Sequence, residues 1–168
     1  MIVITNSGPL IALGKLSLLN LLEPLYKEVM LPARVYDEVI GRGTKRGYLD
    51  TVQAKLAVHR GYLLMRPVML NDAGIDFLPL DPGEKAVLNL ALENKADLVL
   101  MDDMLARKQA RNLGFKVTGT LGIIVSAYRK NLLSLDELRI IFDTIIHRND
   151  IWIAEGLCRI ILEHLEKD

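Results

Sequence analysis

The chain has 168 residues, a single cysteine, and 21 basic against 21 acidic side chains. That length suits one domain with its own core, one cysteine excludes an internal disulfide, and balanced charge excludes a global basic field for nucleic acid. The hydrophobic share of 51% with only 5% aromatic residues predicts an aliphatic core between helices and a buried sheet. No run reaches the roughly 18 uninterrupted apolar residues of a membrane span, and the start MIVITNSGP lacks the pattern of a secretory leader, so the expected location is the cytoplasm.

In chain order, Ile2-Val3-Ile4 reads as a strand that stops at Asn6-Ser7-Gly8-Pro9, and Leu10 and Leu13 begin a helical pattern. Val29-Met30-Leu31 repeats the unit, with Pro32 expected at a first helical position and Val35 and Val39 one helical turn apart. A glycine-punctuated basic loop follows at 41–47, then a weaker helix, then a weak strand over Tyr62–Met65. Asp81-Pro82-Gly83-Glu84 opens a helix with a capping box and feeds the apolar run Leu98–Met101, the strongest strand signal in the chain. Asp102-Asp103 starts a helix that Gly114 closes from the C′ position, and Phe115–Thr118 makes another strand. A helix from about Leu121 follows. Ser134-x-x-Glu137 then caps a helix to about His147, and Ile151–Glu166 reads as the last. Alternating strands and helices predict an α/β fold, a three-layer α/β/α sandwich around a parallel sheet, ending in a C-terminal helical hairpin. The whole, 1–168, is expected to be a single domain.

Ligands of open parallel sheets sit beyond the carboxyl ends of the strands, where strand order reverses. That rule selects Asn6 after the first strand, Asp102 and Asp103 after the strongest one, and Glu84 in the first turn of the preceding helix. Glu38, between Val35 and Val39, falls on or beside the buried face of its helix. Acids gathered in one crevice repel one another unless a cation joins them, and hard divalent ions take such oxygen ligands while keeping waters for phosphate substrates.

The strings VITNSGPLIAL, P-x-x-V-Y-D-E-V at 32–39, DPGEKAVLNLA at 81–91, LVLMDDMLARKQARNLG at 98–114 and TGTLG at 118–122 resemble, in order and spacing, the PIN-domain proteins. The likeness covers about residues 1–130, leaves about 131–168 as an extension, and is strongest to the prokaryotic branch related to VapC toxin ribonucleases. It implies Mg²⁺- or Mn²⁺-dependent cleavage of RNA, a homodimer and an antitoxin protein as partner. The family's first acid falls on Asn6, its second on Glu38, its third on Glu84, and its last on Asp103 with Asp102 beside it. Asn6 departs from the aspartate of the more active members: an amide oxygen ligates a hard cation but brings no charge. The alternative function is therefore a catalytically weakened module that binds RNA or a partner protein.

Each residue also has a plainer reading: Glu84 as half of a capping box, one of Asp102 and Asp103 as an N-cap, Glu38 as a solvated helix residue and Asn6 as a turn residue. Arg107, Lys108 and Arg111 after Asp103, and Arg42, Lys45 and Arg46 in the glycine loop, are candidates for an RNA backbone or simply solvated. Ser7 lacks a nucleophile elbow, and His59, His147 and His164 lack zinc spacing. Cys158 and the isolated methionines read as core. The stripes Leu135, Leu138, Ile141 and Ile145, then Leu157, Ile161 and Leu165, are expected to be covered by packing and in part by a dimer contact.

Overall fold

Short β-branched and leucine-rich runs, apolar on both faces, can be satisfied only inside a sheet covered on both sides. β1 (Val3–Thr5), β2 (Val29–Pro32), β3 (Leu63–Arg66), β4 (Leu98–Leu100) and β5 (Val117–Thr118) form such a sheet, parallel throughout, in the order β3-β2-β1-β4-β5. The computed structural model describes residues 1–41 and 49–166, and the candidate cations Arg42, Lys45 and Arg46 lie outside the described residues. The register sets Thr5 opposite Leu100, Pro32 opposite Arg66 and Leu100 opposite Thr118, which aligns the carboxyl ends along one edge. Val3, Ile4, Val29, Leu31, Leu63, Val99 and Leu100 are all at most 1% exposed, so the sheet is the core of its unit.

Helices α1 (Ser7–Lys15), α2 (Leu22–Tyr26), α3 (Ala33–Tyr36), α4 (Leu49–Arg60), α5 (Ala73–Asp76), α6 (Pro82–Asn94) and α7 (Met104–Asn112) flank the sheet. α6 packs on β1 and β2 through buried Val87, Leu88, Leu90 and Ala91; full burial of each larger aliphatic contributes about 1.5–3 kcal/mol. α1 packs on α4, and α7 on β5. α7 ends as the glycine predicts: Gly114 has φ +90°, and Phe115 N–H reaches back to Ala110 O.

The chain divides into two units, Met1–Thr120 and the segment from Leu121 onward. The second contains most of α8 (Thr120–Arg129), then α9 (Leu135–His147) and α10 (Glu155–Leu165), the last two packed on each other. Ser134 and Glu137 form the expected reciprocal cap at the start of α9. Among the described residues, no helix is long and apolar enough to cross a membrane.

Several boundaries and registers differ from expectation. α1 starts at Ser7 rather than Leu10, and Pro32 ends β2 in extended conformation as the N-cap of α3. The α3 helix lasts only to Tyr36 before the backbone widens into a π turn over Asp37–Gly41, which re-aims Glu38. α10 begins at Glu155, not Ile151; Cys158 and Leu165 are buried as expected, whereas Leu157 is 48% exposed. Met101 is buried as predicted, but Met65, Met69 and Met104 are exposed. Phe142, which the stripe at 135–145 omitted, is the largest fully buried side chain of α9.

Candidate active site

β1 leads to β2 on one side, while β4 lies on its other side, so the strand order reverses between β1 and β4. A crevice opens at such a point because the connections leaving the two strands diverge. Asn6 stands on one bank and Asp102-Asp103 on the other; the Asn6 N–H donates to Leu100 O at 2.9 Å and ties them together.

Asn6 occupies the N-cap position of α1, yet its side chain caps nothing. Its residue is 8% exposed, and Oδ1 is buried with no hydrogen-bond partner among the described residues. An unpaired buried acceptor costs about 1–3 kcal/mol, so this oxygen marks a place where a ligand would be welcome. Thr5, beside it, is fully buried but satisfied, its Oγ1 donating to Asn6 O at 2.9 Å.

Glu84 enters from the first turn of α6. Its Oε2 accepts from Asp81 N–H at 2.9 Å while its own N–H donates to Asp81 Oδ1 at 2.8 Å, so the capping box is real. The residue is nonetheless 7% exposed. Burial pushes its carboxyl above the ordinary range; the Asp81 N–H opposes that, and the charges of Asp81, Asp103 and Glu38 push it further up. Glu38, Glu84 and Asp103 therefore share one electrostatic neighbourhood although they come from three separate elements.

Backbone clearance admits the remaining acids. The half-buried Glu38 leans over Gly83, where an added Cβ would stand 2.9 Å from its Oε1. Asp103 caps α7 by accepting from Ala106 N–H at 2.8 Å and remains exposed. Asp102 is held by Thr120: its Oδ1 accepts from Thr120 N–H and its Oδ2 from Thr120 Oγ1, each at 2.7 Å. Arg107 brings its guanidinium within 3.0 Å of the point that a Gly119 Cβ would occupy, on the same glycine as Asp102. Lys108 and Arg111 lie exposed along α7.

Among the described residues, no three His, Cys, Asp or Glu side chains are gathered at metal-ligand spacing. The acids gather near the carboxyl ends of the strands without closing a cage. The donor set nevertheless suits a hard cation: carboxylate oxygens, one unpartnered amide oxygen and glycine backbone that lets them approach. Sequence reasoning missed Thr120 and the clearance at Gly83 and Gly119. The string TGTLG carried the signal, but its meeting with Asp102 depends on β4 pairing with β5.

Because folding raises the Glu84 pKa, folding stabilises its protonated form. That contribution is complete below the ordinary value of 4.5 and is lost as pH rises through the folded value. In EDTA, the wild type should thus lose stability relative to Glu84→Gln as pH rises above 4.5. Parallel urea-denaturation profiles for the two proteins across that range would refute the coupling.

A family model for the PIN domain matches residues 2–167. No curated protein matches the chain. PIN domains are generally nucleases and typically use divalent metal ions, which agrees with oxygen donors at the switch point of a parallel sheet. Fold, site and match together establish that this chain belongs to the PIN-domain family.

Proposed function

We propose that this protein is a Mg²⁺- or Mn²⁺-dependent endoribonuclease whose centre is the crevice between β1 and β4. The observation that carries the reading is the buried, unpartnered Oδ1 of Asn6, a residue at the same carboxyl edge of the sheet as the acids whose charges act on Glu84. Asn6, Glu38, Glu84, Asp102 and Asp103 would hold the ion. When bound, such an ion supplies Lewis acidity toward a phosphodiester and neutralises charge developing on its oxygens.

The chain's own residues divide the remaining work. Glu84, raised by burial and by its acidic neighbours, retains a proton at higher pH than an ordinary glutamate while the site is empty of cations, and releases it when positive charge arrives. Glu38 and Asp103, less buried than Glu84, have room to move inward. Arg107, which meets Asp102 at Gly119, would receive a scissile phosphate, and exposed Lys108 and Arg111 would continue the positive charge along α7 for the flanking RNA backbone. Asn6 supplies a neutral ligand where an aspartate would add charge, which favours the second reading, a PIN module with weakened cleavage that binds RNA or protein.

The resemblance to VapC-related proteins supports a cytoplasmic toxin with an antitoxin partner, and a homodimer. The second unit exposes Ile140, Trp152, Leu157 and Ile160, at 67%, 94%, 48% and 55%, which a second copy would cover. Light scattering at micromolar concentration should give a dimer mass; a monomer mass would remove that part.

Labelled single-stranded RNA should be cut in Mn²⁺ or Mg²⁺ and spared in EDTA, and a Glu38→Gln, Asp103→Asn double variant should lose at least two orders of magnitude in rate. Cleavage by the double variant at the wild-type rate would refute the site. No cleavage by the wild type would refute the enzyme and leave the binding module.

A further inference from the structure

The adjacent acids Asp102 and Asp103 are held in different ways. Asp103 is exposed and gives one oxygen to the cap of its own helix. Asp102 has both oxygens gripped by one residue, the backbone N–H and hydroxyl of Thr120, each at 2.7 Å. Thr120 is fully buried, so its fork is itself rigid. Gly119 completes the seat: a Cβ there would stand 2.6 Å from Asp102 Oδ1, closer than real contacts allow. Across the crevice, a Cβ on Gly8 would stand 3.4 Å from Asp102 Oδ2, an ordinary contact against the first turn of α1.

We infer that Thr120 is a positioning residue that, with Gly119 beside it, fixes the Asp102 carboxylate toward the cation site, whereas Asp103 is held through one oxygen only, by its helix cap. Each carboxylate oxygen keeps a second lone pair after accepting one hydrogen bond, so Asp102 can be held by Thr120 and still ligate. A ligand oriented in this way loses less rotamer entropy on binding than a free one, and partners of this kind typically govern metal affinity. Asp102 Oδ2 lies against Gly8, two residues after Asn6, whose own Oδ1 is buried without a hydrogen-bond partner among the described residues and whose N–H is bonded to the end of β4. The assignment rests on the proposed metal-dependent reading. A purely structural role is the competing account, because Asp102 also receives the first N–H of α8.

The two accounts separate in the full-length protein by calorimetric titration with Mn²⁺ alongside melting in EDTA. Thr120→Val removes the hydroxyl and keeps the N–H; it should raise the Mn²⁺ dissociation constant about 10–100-fold, while Thr120→Ser stays within a few-fold of wild type. Gly119→Ala displaces the carboxylate without touching the hydroxyl and should weaken binding similarly, which covers the case of a Thr120→Val protein that does not fold. Wild-type affinity in Thr120→Val or Gly119→Ala, whatever the melting temperature, overturns the assignment. So does a Thr120→Ser protein as weak as Thr120→Val. A wild type that takes up no Mn²⁺ overturns the metal reading and this assignment with it, whereas a binding wild type with insensitive variants overturns this assignment alone.

Discussion

Mutual repulsion among carboxylates at one end of a parallel sheet is the constraint around which this protein's site is organised. Glu38, Glu84 and Asp103 come from a π turn, a helix start and a strand end, and the charges of Glu38 and Asp103 nevertheless act on the buried Glu84. Folding alone gains nothing from that gathering, and the buried Asn6 Oδ1 adds an unpaired acceptor to it. A divalent cation held there would offset the charge around Glu84, and the Asn6 oxygen is of the type that ligates one.

The scaffold holds these groups with local devices that each do something else as well. The Asp81–Glu84 capping box starts α6 and at the same time keeps Glu84 in place. Asp103 starts α7 and projects charge into the crevice. Glycines occur where carboxylates press against backbone, with Glu38 over Gly83 and Asp102 over Gly119. Further out, α6 is tied to the preceding loop by Asn89, whose Oδ1 accepts from Asp72 N–H at 2.9 Å and whose amide donates to Lys85 O at 3.1 Å. The site is thus supported mainly by the ends of regular elements, where unpaired backbone groups and charged side chains already meet.

What could be read from the sequence was what is local. Both capping boxes, the closing glycine at Gly114 and the apolar strands depend on neighbours within a few residues, and the structure has them where the pattern placed them. The acids at strand ends followed from topology once alternating strands and helices were recognised. Harder to see were features set by distant partners. The π turn at Asp37–Gly41 replaces a continuous helix, Leu157 of the expected α10 stripe is half exposed, and several methionines expected inside are at the surface. Thr120 meets Asp102 only because β5 lies beside β4, and no spacing rule in the chain announces that encounter.

In a cation site built from the orphaned amide and its acidic neighbours, Asn6 would be the weak member. Calorimetric titration of the wild type and Asn6→Asp with Mn²⁺ tests this most directly. Saturable binding by the wild type and tighter binding by Asn6→Asp, by about tenfold for the added carboxylate charge at roughly 1.4 kcal/mol, is the result this account predicts. Equal affinity in the two proteins would contradict it.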